Sequence, residues 1–494
     1  MPSVPVSTVV AGSAVDEREL LRGALLAGPG SGIWPLPESG RAEVLAGLAG
    51  PGAIGAALAA AGHVDERVRL LPGAVTMAVV LGLCLFCGEG YDSVLAKVLA
   101  VVGPLGAAST VPTASALSGA RVRLGEAPVR ALFEQAAAAG PAPGIGSMAF
   151  GLELTGFDGT TLELARGADL VEEFGVPTGA LRPLARVVTL VSVGSRRVVA
   201  AAIGSWHTGE QELCDELAGA LLPGTLNLAD RNFYSMRRWI AFTATGAHLL
   251  WRVKNHNTKF GGRVLETLSD GSMLVRLRES KWMYNKRRRD LADPGAPRLA
   301  DTVARLVEFD VMVTDASGRT RTSKIRILTT LLDHLAFPAR ALAACYAERW
   351  EVEITYLRIK KTLRGPGVRL RGTTPELARQ EIWALLTVYN ALCDLAARTA
   401  ALEGIDPDEI SFVAVLRIVR DHHTTPPADA CRHCGHQETA TAPTLTSQIA
   451  ATTRNRTNRQ RHSPRTPRER RTQPGSNATY TITIATSTLP KADN

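Results

Sequence analysis

The order of strands and helices between residues 150 and 254 limits the possible folds of this 494-residue chain more than any other feature. GLELTGFDGTTLEL predicts a strand, and RVVTLVSV followed by RRVVAAAIGSW predicts a hairpin. A helix (GEQELCDELAGALL), a strand (GTLNLADRNF), a second helix (SMRRWIAFTATGA) and another strand (HLLWRVK) come next. This βββαβαβ order predicts an α/β fold, with a mixed core built around one sheet.

Two aspartates stand at or near the ends of predicted strands. Asp158 lies in the first strand, and Asp230 ends the buried strand GTLNLAD. Active-site groups of α/β sheets collect at strand ends. Carboxylates are also hard oxygen ligands, of the kind that Mg²⁺ and Mn²⁺ prefer. The two aspartates are therefore candidates for one metal-dependent site.

A third group of residues with functional chemistry lies in the predicted helix YAERWEVEITYLRIKKTLRG, and its members are Tyr346, Arg349, Glu353 and Lys360. On a straight α-helix their offsets of 0, 3, 7 and 14 project to about 0°, 300°, 340° and 320°. The four side chains then share one face, about 60° wide. One interpretation is an acidic metal ligand beside groups that bind phosphate. The other is a solvated helix with i,i+4 ion pairs.

The same helix carries two further glutamates and a tryptophan. Glu348 and Glu351 project to about 200° and 140° from Tyr346, so they point away from the shared face. Glu353 is therefore the predicted metal ligand, and exchange of Glu351 for glutamine is expected to be nearly silent. Trp350, at about 40°, borders the face and either stacks on a displaced base or belongs to the core.

Three sequence blocks, in order, carry a resemblance to a known family. FDGTTLEL, LNLADRNFYS and the spacing Y-x-x-R-x-x-x-E-x-x-x-x-x-x-K resemble the three catalytic blocks of the DDE transposases of the insertion sequence 4 family. LFCGEGYDSVLAKV and TPELARQEIWALLTVYN are also similar to that family, and the resemblance runs from about residue 15 to about residue 420. It implies a ribonuclease-H-like catalytic core with a β-rich insertion between the second aspartate and the glutamate.

The resemblance also implies a DNA transposase that catalyses cut-and-paste transposition. Two Mg²⁺ or Mn²⁺ ions held by Asp158, Asp230 and Glu353 would activate water to nick each element end, and the freed 3′ hydroxyl would attack target DNA. In this family the other strand is commonly cut through a hairpin intermediate. The implied partners are double-stranded DNA, as terminal inverted repeats and as target, and a second copy in a dimeric synaptic complex. No small-molecule cofactor is implied.

Further residues are expected to contact DNA. By the resemblance, Tyr346, Arg349 and Lys360 would position phosphates near the scissile bond. Arg231, beside the second aspartate, either assists them or forms a structural ion pair.

The basic segment KWMYNKRRRDLADPGAP is predicted to be a loop. In it, Lys281, Arg287 and Arg288 surround Trp282 and Tyr284. Basic and aromatic side chains together can hold a phosphate backbone and stack a base. A solvated loop without such a role is the alternative.

These patterns divide the chain into four parts. They are a helical N-terminal transposase domain (1–135), a catalytic domain (136–400) with a β-rich insertion at about 255–333, a C-terminal helix (401–424) and a basic, disordered tail (425–494). The N-terminal domain is a candidate for binding the element ends. Within it, PTASALSGARVRLGEAPVRALFEQ predicts two short helices around Gly125. They form either a helix-turn-helix DNA contact, with Arg121 and Arg123 on the first helix, or ordinary helical packing, which we favour.

Charge and cysteine content favour a cytoplasmic protein that is associated with the nucleoid when it binds DNA. The formal net charge is +9, and ten basic against four acidic residues from position 425 onward place +6 of it in the tail. The seven cysteines are scattered and form no disulfide framework, which favours a reducing cytosol. The N-terminal sequence has no features of a secretory signal. The most apolar run, 73–87, is shorter than the roughly 20 residues of a membrane span, so no membrane association is expected.

The tail also contains a compact group of metal-ligand residue types, Cys431, His433, Cys434 and His436. Their C-x-H-C-x-H spacing is too tight for the usual zinc patterns, so no metal is predicted there.

Two alternatives to an active transposase stay open. One is a decayed or domesticated relative that binds DNA without cutting it. The other is a different ribonuclease-H-like nuclease, such as a junction resolvase. A hydrolase that acts outside nucleic acids is disfavoured, because the chain has no G-x-S-x-G motif.

Overall fold

The computed structural model describes residues 52–67, 71–102, 112–140, 144, 146–254, 262–314, 319–424, 445–452 and 479–485. Its α-helices are α1 Ala53–Ala60, α2 Gly73–Leu85, α3 Tyr91–Val102, α4 Ala114–Leu124, α5 Ala127–Ala138, α6 Ala168–Phe174, α7 Glu210–Glu216, α8 Met236–Thr243, α9 Lys281–Asp290, α10 Ala339–Ala347, α11 Trp350–Leu357, α12 Pro375–Glu403, α13 Phe412–Thr424 and α14 Leu445–Thr452. A π-helical turn, Arg358–Leu363, directly follows α11. Its strands are β1 Met148–Ala149, β2 Leu152–Glu163, β3 Leu184–Ser192, β4 Val198–Ser205, β5 Thr225–Ala229, β6 His248–Arg252, β7 Gly262–Thr267, β8 Met273–Leu277, β9 Thr302–Thr314, β10 Thr320–Thr329 and β11 Thr479–Ile484.

The described strands form one mixed sheet. Its order is β4-β3-β2-β5-β6-β10-β9-β8-β7, with β1 beside β2 and β11 beside β9. β3 is antiparallel to β2 and β4, whereas β5 is parallel to β2 and β6. Both faces of the sheet are covered, because Leu226 and Leu228 of β5 belong to one buried cluster and Ala229 belongs to the other. The predicted α/β fold around one sheet is confirmed.

The strands between residues 262 and 329 extend this same sheet. β10 is antiparallel to β6, with Leu328 opposite Trp251, and β9, β8 and β7 follow outward. The prediction of a basic loop inside this region is wrong, because residues 281–290 form helix α9. The Ser280 hydroxyl caps the helix by accepting a hydrogen bond from the Met283 backbone N–H (3.2 Å). The dense charge indicated a loop, although lysine and arginine are good helix formers once a cap is present.

The N-terminal helices pack against the long helix α12. The Arg121 guanidinium is buried and donates to Gln380 Oε1 (3.1 Å) and the Tyr91 hydroxyl (2.9 Å). The rings of Phe133 and Trp383 lie 5.2 Å apart, centroid to centroid. Of the two interpretations of α4 and α5, helical packing is therefore confirmed. A DNA contact by the Arg121 side chain is ruled out by its burial.

Two segments of the C-terminal tail have regular structure. Helix α14 packs on α12 and α13 and buries Ile449, and β11 pairs antiparallel with β9, with Ile482 opposite Val311. The prediction of disorder is wrong for these two segments. The cluster of cysteines and histidines at positions 431–436 lies outside the described residues. No helix in the described ranges is both long and apolar enough to cross a membrane.

Candidate active site

The two predicted aspartates lie on neighbouring parallel strands and on one face of the sheet. β2 and β5 pair in a register that puts Gly156 opposite Leu228. Asp158 and Asp230 each follow two residues later, so they project to the same face, because side chains alternate along a strand. The prediction that Asp158 stands at or near a strand end is wrong, because it lies inside β2, two residues beyond the last pair with β5. Asp158 Oδ1 accepts from the Gly159 backbone N–H at 2.8 Å.

The helical segment with the third group of residues packs against β2, but it is not a straight α-helix. After α10, the Arg349 backbone N–H donates to Tyr346 O and the Glu351 N–H donates to Glu348 O, so this turn is tighter than an α-helix. α11 then ends in the wider π-helical turn. The projection that assumed a uniform helix was wrong in detail. The Tyr346 hydroxyl nevertheless reaches the end of β5, where it donates to Ala229 O at 3.2 Å.

Arg349 and Lys360 also form polar contacts in this region. Arg349 Nη2 forms an ion pair with Glu353 Oε1 at 2.8 Å, and the two side chains are 16% and 30% exposed. Lys360 Nζ donates to Thr160 Oγ1 of β2 at 3.2 Å. Burial lowers the pKa of Lys360, and the positive charges of neighbouring basic side chains lower it further.

Two residues that the sequence analysis did not single out hold α11 against β2. A Cβ atom on Gly156 would lie 2.7 Å from Val352 Cγ2, so glycine is required for this close approach. The Tyr356 hydroxyl donates to the Asp158 backbone oxygen at 2.5 Å and lies 2.7 Å from the Thr189 hydroxyl. Tyr356 is one helical turn beyond Glu353, a spacing that could have indicated its position. Together these contacts place the glutamate of α11 beside the aspartate of β2.

Arg349 is the central positive charge of the site. Burial alone would lower its pKa, but Tyr346 and the carboxylates of Glu353, Asp230 and Asp158 raise it above its usual value. All three predicted carboxylates therefore act on one guanidinium. Asp158, Asp230 and Glu353 are thus grouped around Arg349, and their role as metal ligands stays a prediction.

The Asp158 carboxyl group is strongly perturbed. Burial raises its pKa to about 7, and the charge of Arg349 opposes this effect. Two nearby carboxylates, Glu353 and Glu210, raise the pKa further. Such a pKa shift is frequent at functional sites, where burial and neighbouring like charges perturb ionisable groups.

Arg252 and Arg231 lie beside the second aspartate. Arg252 Nη1, at the end of β6, is 3.9 Å from Asp230 Oδ1, and the sequence analysis missed this residue. The Arg231 side chain is exposed, and its backbone N–H donates to Asp230 Oδ1 at 2.7 Å. Among the residues that the structure describes, the Arg231 side chain forms no ion pair, so its structural alternative is not supported. Trp350, on α11, is half-buried.

On α9, the predicted basic residues differ in whether their charges already have a partner in the protein. Arg287 donates to both carboxylate oxygens of Glu279, at 2.7 and 3.0 Å, so its charge is already paired. Arg288 lies over the Tyr284 ring, 5.3 Å from its centroid. The Lys281 side chain is exposed.

The two other glutamates of the segment point away from the site, as predicted, but one of them is buried. Glu351 is 7% exposed and forms an ion pair with Arg196, which is also paired with Asp408. Glu351→Gln is therefore expected to affect stability, while its near-silence in cleavage stays a prediction. Its partner comes from the turn after β3, and the helical projection contained no information about it.

Glu348 borders a cavity of about 290 Å³ behind the catalytic segment. Burial raises the pKa of Glu348 to about 7, and the charge of Glu351 adds to the shift. Because the folded-state pKa lies above the usual 4.5, ionisation of Glu348 is disfavoured in the folded protein. Its contribution to stability is therefore complete below the usual pKa and is lost as the pH rises through about 7.

We expect Glu348→Gln to raise the free energy of unfolding at pH 8 by about 1 kcal/mol, because it removes this carboxylate. The gain should vanish near pH 5, where Glu348 is protonated in the folded protein. Urea unfolding at both pH values measures the effect, with the exposed Glu172→Gln as the control. An equal change at the two pH values would contradict the pKa assignment.

The donor set suits divalent cations, but the carboxylates do not enclose a cation position. Asp158, Asp230 and Glu353 offer hard oxygen atoms. Among the described residues, no three His, Cys, Asp or Glu side chains are close enough together to hold a metal ion. Arg349 supplies the positive charge between them instead. The donor atoms of these residues thus suit such cations in type and charge.

Two aspartates on neighbouring strands and a glutamate on a helix are the residue types that give the DDE class of DNA-processing enzymes its name, and comparison with known proteins shows that the chain belongs to this class. Residues 39–134 match the family model "Insertion element 4 transposase N-terminal", and residues 151–391 match "Transposase DDE domain". The chain belongs to the DDE transposases of the insertion sequence 4 family, and it is a DNA transposase. Enzymes of this family generally use divalent metal ions.

One curated relative and one solved structure illustrate the similarity. The chain is 29% identical over 375 residues to "Transposase InsG for insertion sequence element IS4" of Escherichia coli (strain K12), which covers 73% of this chain and 78% of that protein. A cryo-EM structure of the piggyBac transposase synaptic complex with hairpin DNA matches with a TM-score of 0.40 and 8% identity over 83% of each chain. That structural likeness is too distant to support an inference about residues.

Proposed function

We propose that this transposase moves its element by cut-and-paste, with Asp158, Asp230 and Glu353 as the catalytic residues. It would cleave both element ends and join the freed 3′ hydroxyls to target DNA. The observation that carries the proposal is the convergence of the three carboxylates on Arg349. Phosphoryl transfer needs little covalent chemistry from the protein, and a preorganised cluster of charges is what lowers its barrier.

The three carboxylates would hold two Mg²⁺ or Mn²⁺ ions. When bound, the ions supply the charge that activates the attacking oxygen and stabilises the leaving 3′ oxygen. Glu353 would then no longer need Arg349 as its ion-pair partner. The guanidinium would be available to a DNA phosphate, for which its planar fork is well suited.

The other residues near the carboxylates would have separate roles. Lys360, held at Thr160, would supply positive charge beside the scissile phosphate. Tyr346 would position Asp230, because its hydroxyl is bonded to the backbone just before that residue and is not directed at DNA. Arg231 is exposed, so it would contact a phosphate, and the half-buried Trp350 would border the bound strand.

We propose a ribonuclease-H-like core for the catalytic domain. The strand order β4-β3-β2-β5-β6, in which β3 alone runs opposite to the other four, supports this proposal. The division into 1–135, 136–400, 401–424 and 425–494 is part of the same proposal. The contacts between the N-terminal helices and α12 indicate that the first two parts share a core.

Helix α9 would bind the DNA backbone. Trp282 is 57% exposed on this helix, and the Lys281 ammonium next to it is also exposed. Arg288 stacks on Tyr284 and adds a second charge. Such a surface binds phosphates without reading sequence, and the aromatic ring can stack on an unpaired base.

The double substitution Lys281→Ala with Arg288→Ala is expected to weaken binding to end DNA and to reduce the slope of log affinity against log salt by about 2, one for each phosphate contact. Fluorescence anisotropy across a salt series measures this slope. Lys286→Ala is the matched control on the same helix, because Lys286 is paired with Asp290 at 2.5 Å. An unchanged slope in the double variant would contradict the proposal that α9 binds DNA.

The proposed function is tested with DNA that carries both flanks of the coding sequence. With Mg²⁺, the purified protein should release the intervening segment by double-strand cleavage at both ends and join it to a target plasmid, and EDTA should stop both steps. A hairpin at the released ends would show how the second strand is cut. Cleavage without joining would favour a different nuclease, and binding without cleavage would favour a domesticated relative.

We further propose that two copies act together, one at each inverted repeat, in the cytoplasm and on nucleoid DNA. Cleavage of both ends of one molecule then requires a synaptic complex. Sizing of the protein with and without end DNA should show a dimer in the presence of DNA.

A further inference from the structure

The C-terminal strand β11 covers a part of β9 that would otherwise be a free sheet edge among the described strands. On one side of β9, strand β10 pairs with residues 305–314. On the other side, β8 pairs only with residues 302–306, and β11 pairs with residues 309–314. An uncovered edge presents a row of backbone donors and acceptors to which an extended segment can bind. The outer part of β9 is therefore a strand-binding site, and β11 occupies it.

The two faces of β11 differ in burial. Ile482 and Ile484 are half-buried and lie opposite Val311 and Phe309 of β9, which are 3% and 1% exposed. All four side chains pack in the larger of the two apolar clusters of the protein. The threonines that alternate with the two isoleucines are exposed. β11 is therefore an amphipathic strand, and its apolar face belongs to the core.

This apolar face supports helix α10. α10 packs on β11 and on β9, and its Leu342 side chain is fully buried. The backbone N–H of Ala339, the first residue of α10, donates to Asp270 Oδ2 at 2.8 Å. The next residue in that loop, Gly271, lies against β11, because a Cβ atom there would be 3.1 Å from Ile484 Cγ2. β11 thus contacts both α10 and the loop that holds its first residue.

Helix α10 leads directly into the catalytic segment. Tyr346 is in its last turn, and Arg349 lies in the tight turn that follows. We propose that the C-terminal segment 479–485 is a positioning element of the transposase. It binds the edge of β9 and holds α10 in place, so that Tyr346 reaches Ala229 O and Arg349 reaches Glu353. The inference rests on the proposed function only where cleavage of DNA is the readout.

Hydrogen exchange and end cleavage together test this inference on the full chain. Ile482→Ser with Ile484→Ser removes the apolar face of β11. Amide exchange should become faster in peptides that cover 309–314 and 339–349, and it should stay unchanged in β2, β3 and β4. The rate of end cleavage should fall at least about tenfold, with affinity for end DNA within about twofold of normal, because the change displaces groups at the reacting centre.

Two control variants separate a positioning role from general damage to the strand. Thr481→Ser with Thr483→Ser places the same residue type on the exposed face of β11, and it should leave exchange and cleavage unchanged. Ile482→Val with Ile484→Val keeps a β-branched apolar face and should retain nearly normal cleavage.

The outcomes distinguish this inference from the proposed function. Unchanged exchange at 309–314 in the Ile-to-Ser variant would overturn the assignment of β11 to this edge. Faster exchange there with a normal cleavage rate would overturn the positioning role. Loss of protection throughout β2, β3 and β4 would contradict the local role that we assign to β11. If the unaltered protein does not cleave end DNA, the proposed function fails, whereas exchange at 309–314 and 339–349 still tests the inference.

Discussion

Glutamine at position 353 is expected to reduce cleavage of the element ends by about a thousandfold or more, while binding of end DNA stays within about twofold of normal. The amide keeps the size of the side chain and can still accept a hydrogen bond from Arg349. It lacks the negative charge that the cations require. The loss should therefore appear in the chemical step and not in the affinity for DNA.

Labelled end DNA, resolved on a denaturing gel, gives the cleavage rate, and a mobility-shift titration gives the affinity. Glu403→Gln is the control, because Glu403 is an exposed helical glutamate at the end of α12, far along the chain from the segment. Cleavage by Glu353→Gln within about tenfold of normal would defeat the assignment of Glu353.

Glutamine at position 351 is expected to lower the free energy of unfolding by about 2–4 kcal/mol. The exchange leaves the buried Arg196 guanidinium with Asp408 as its remaining ion-pair partner. Removing one member of a buried pair leaves a charge without full compensation, which costs far more than the loss of an exposed pair. The effect is on stability, because Glu351 points away from the catalytic carboxylates.

Urea unfolding at pH 7 measures this difference, and Glu353→Gln is the internal comparison. Glu353 is 30% exposed, and its ion pair with Arg349 is partly solvated, so its exchange should change stability by less than about 1 kcal/mol. Equal stabilities of the two variants would mean that the Arg196 pair does not hold the segment in place.

The sequence was sufficient to predict the sheet, and it selected the three carboxylates that we propose as catalytic. Strand periodicity placed Asp158 and Asp230 at or near strand ends. In the structure Asp230 directly follows β5, whereas Asp158 lies inside the neighbouring parallel strand β2. The helical spacing also selected Glu353 over Glu351. The tight turn before α11 does not change this choice. Arg349 and Glu353 are four residues apart, and contacts at this spacing depend on local helical geometry.

Features that depend on distant parts of the chain could not be predicted. The burial of Glu351 requires Arg196, which is 155 residues away. The close packing of α11 against β2 requires Gly156. Tyr346 was predicted to contact phosphate, but its hydroxyl bonds to Ala229 across 117 residues. Helix α9 was missed for a different reason, since one serine cap decides between helix and loop there.

The central claim is that the three carboxylates make one metal-dependent centre for joining DNA ends. Its most direct test is a single-turnover reaction of a precut element end with a supercoiled plasmid. With Mg²⁺, the 3′-hydroxyl end should join to the plasmid, and a 3′-deoxy end should not. Asp158→Asn, Asp230→Asn and Glu353→Gln should each abolish joining while still binding the end. Joining by any one of these variants at the normal rate would contradict the claim.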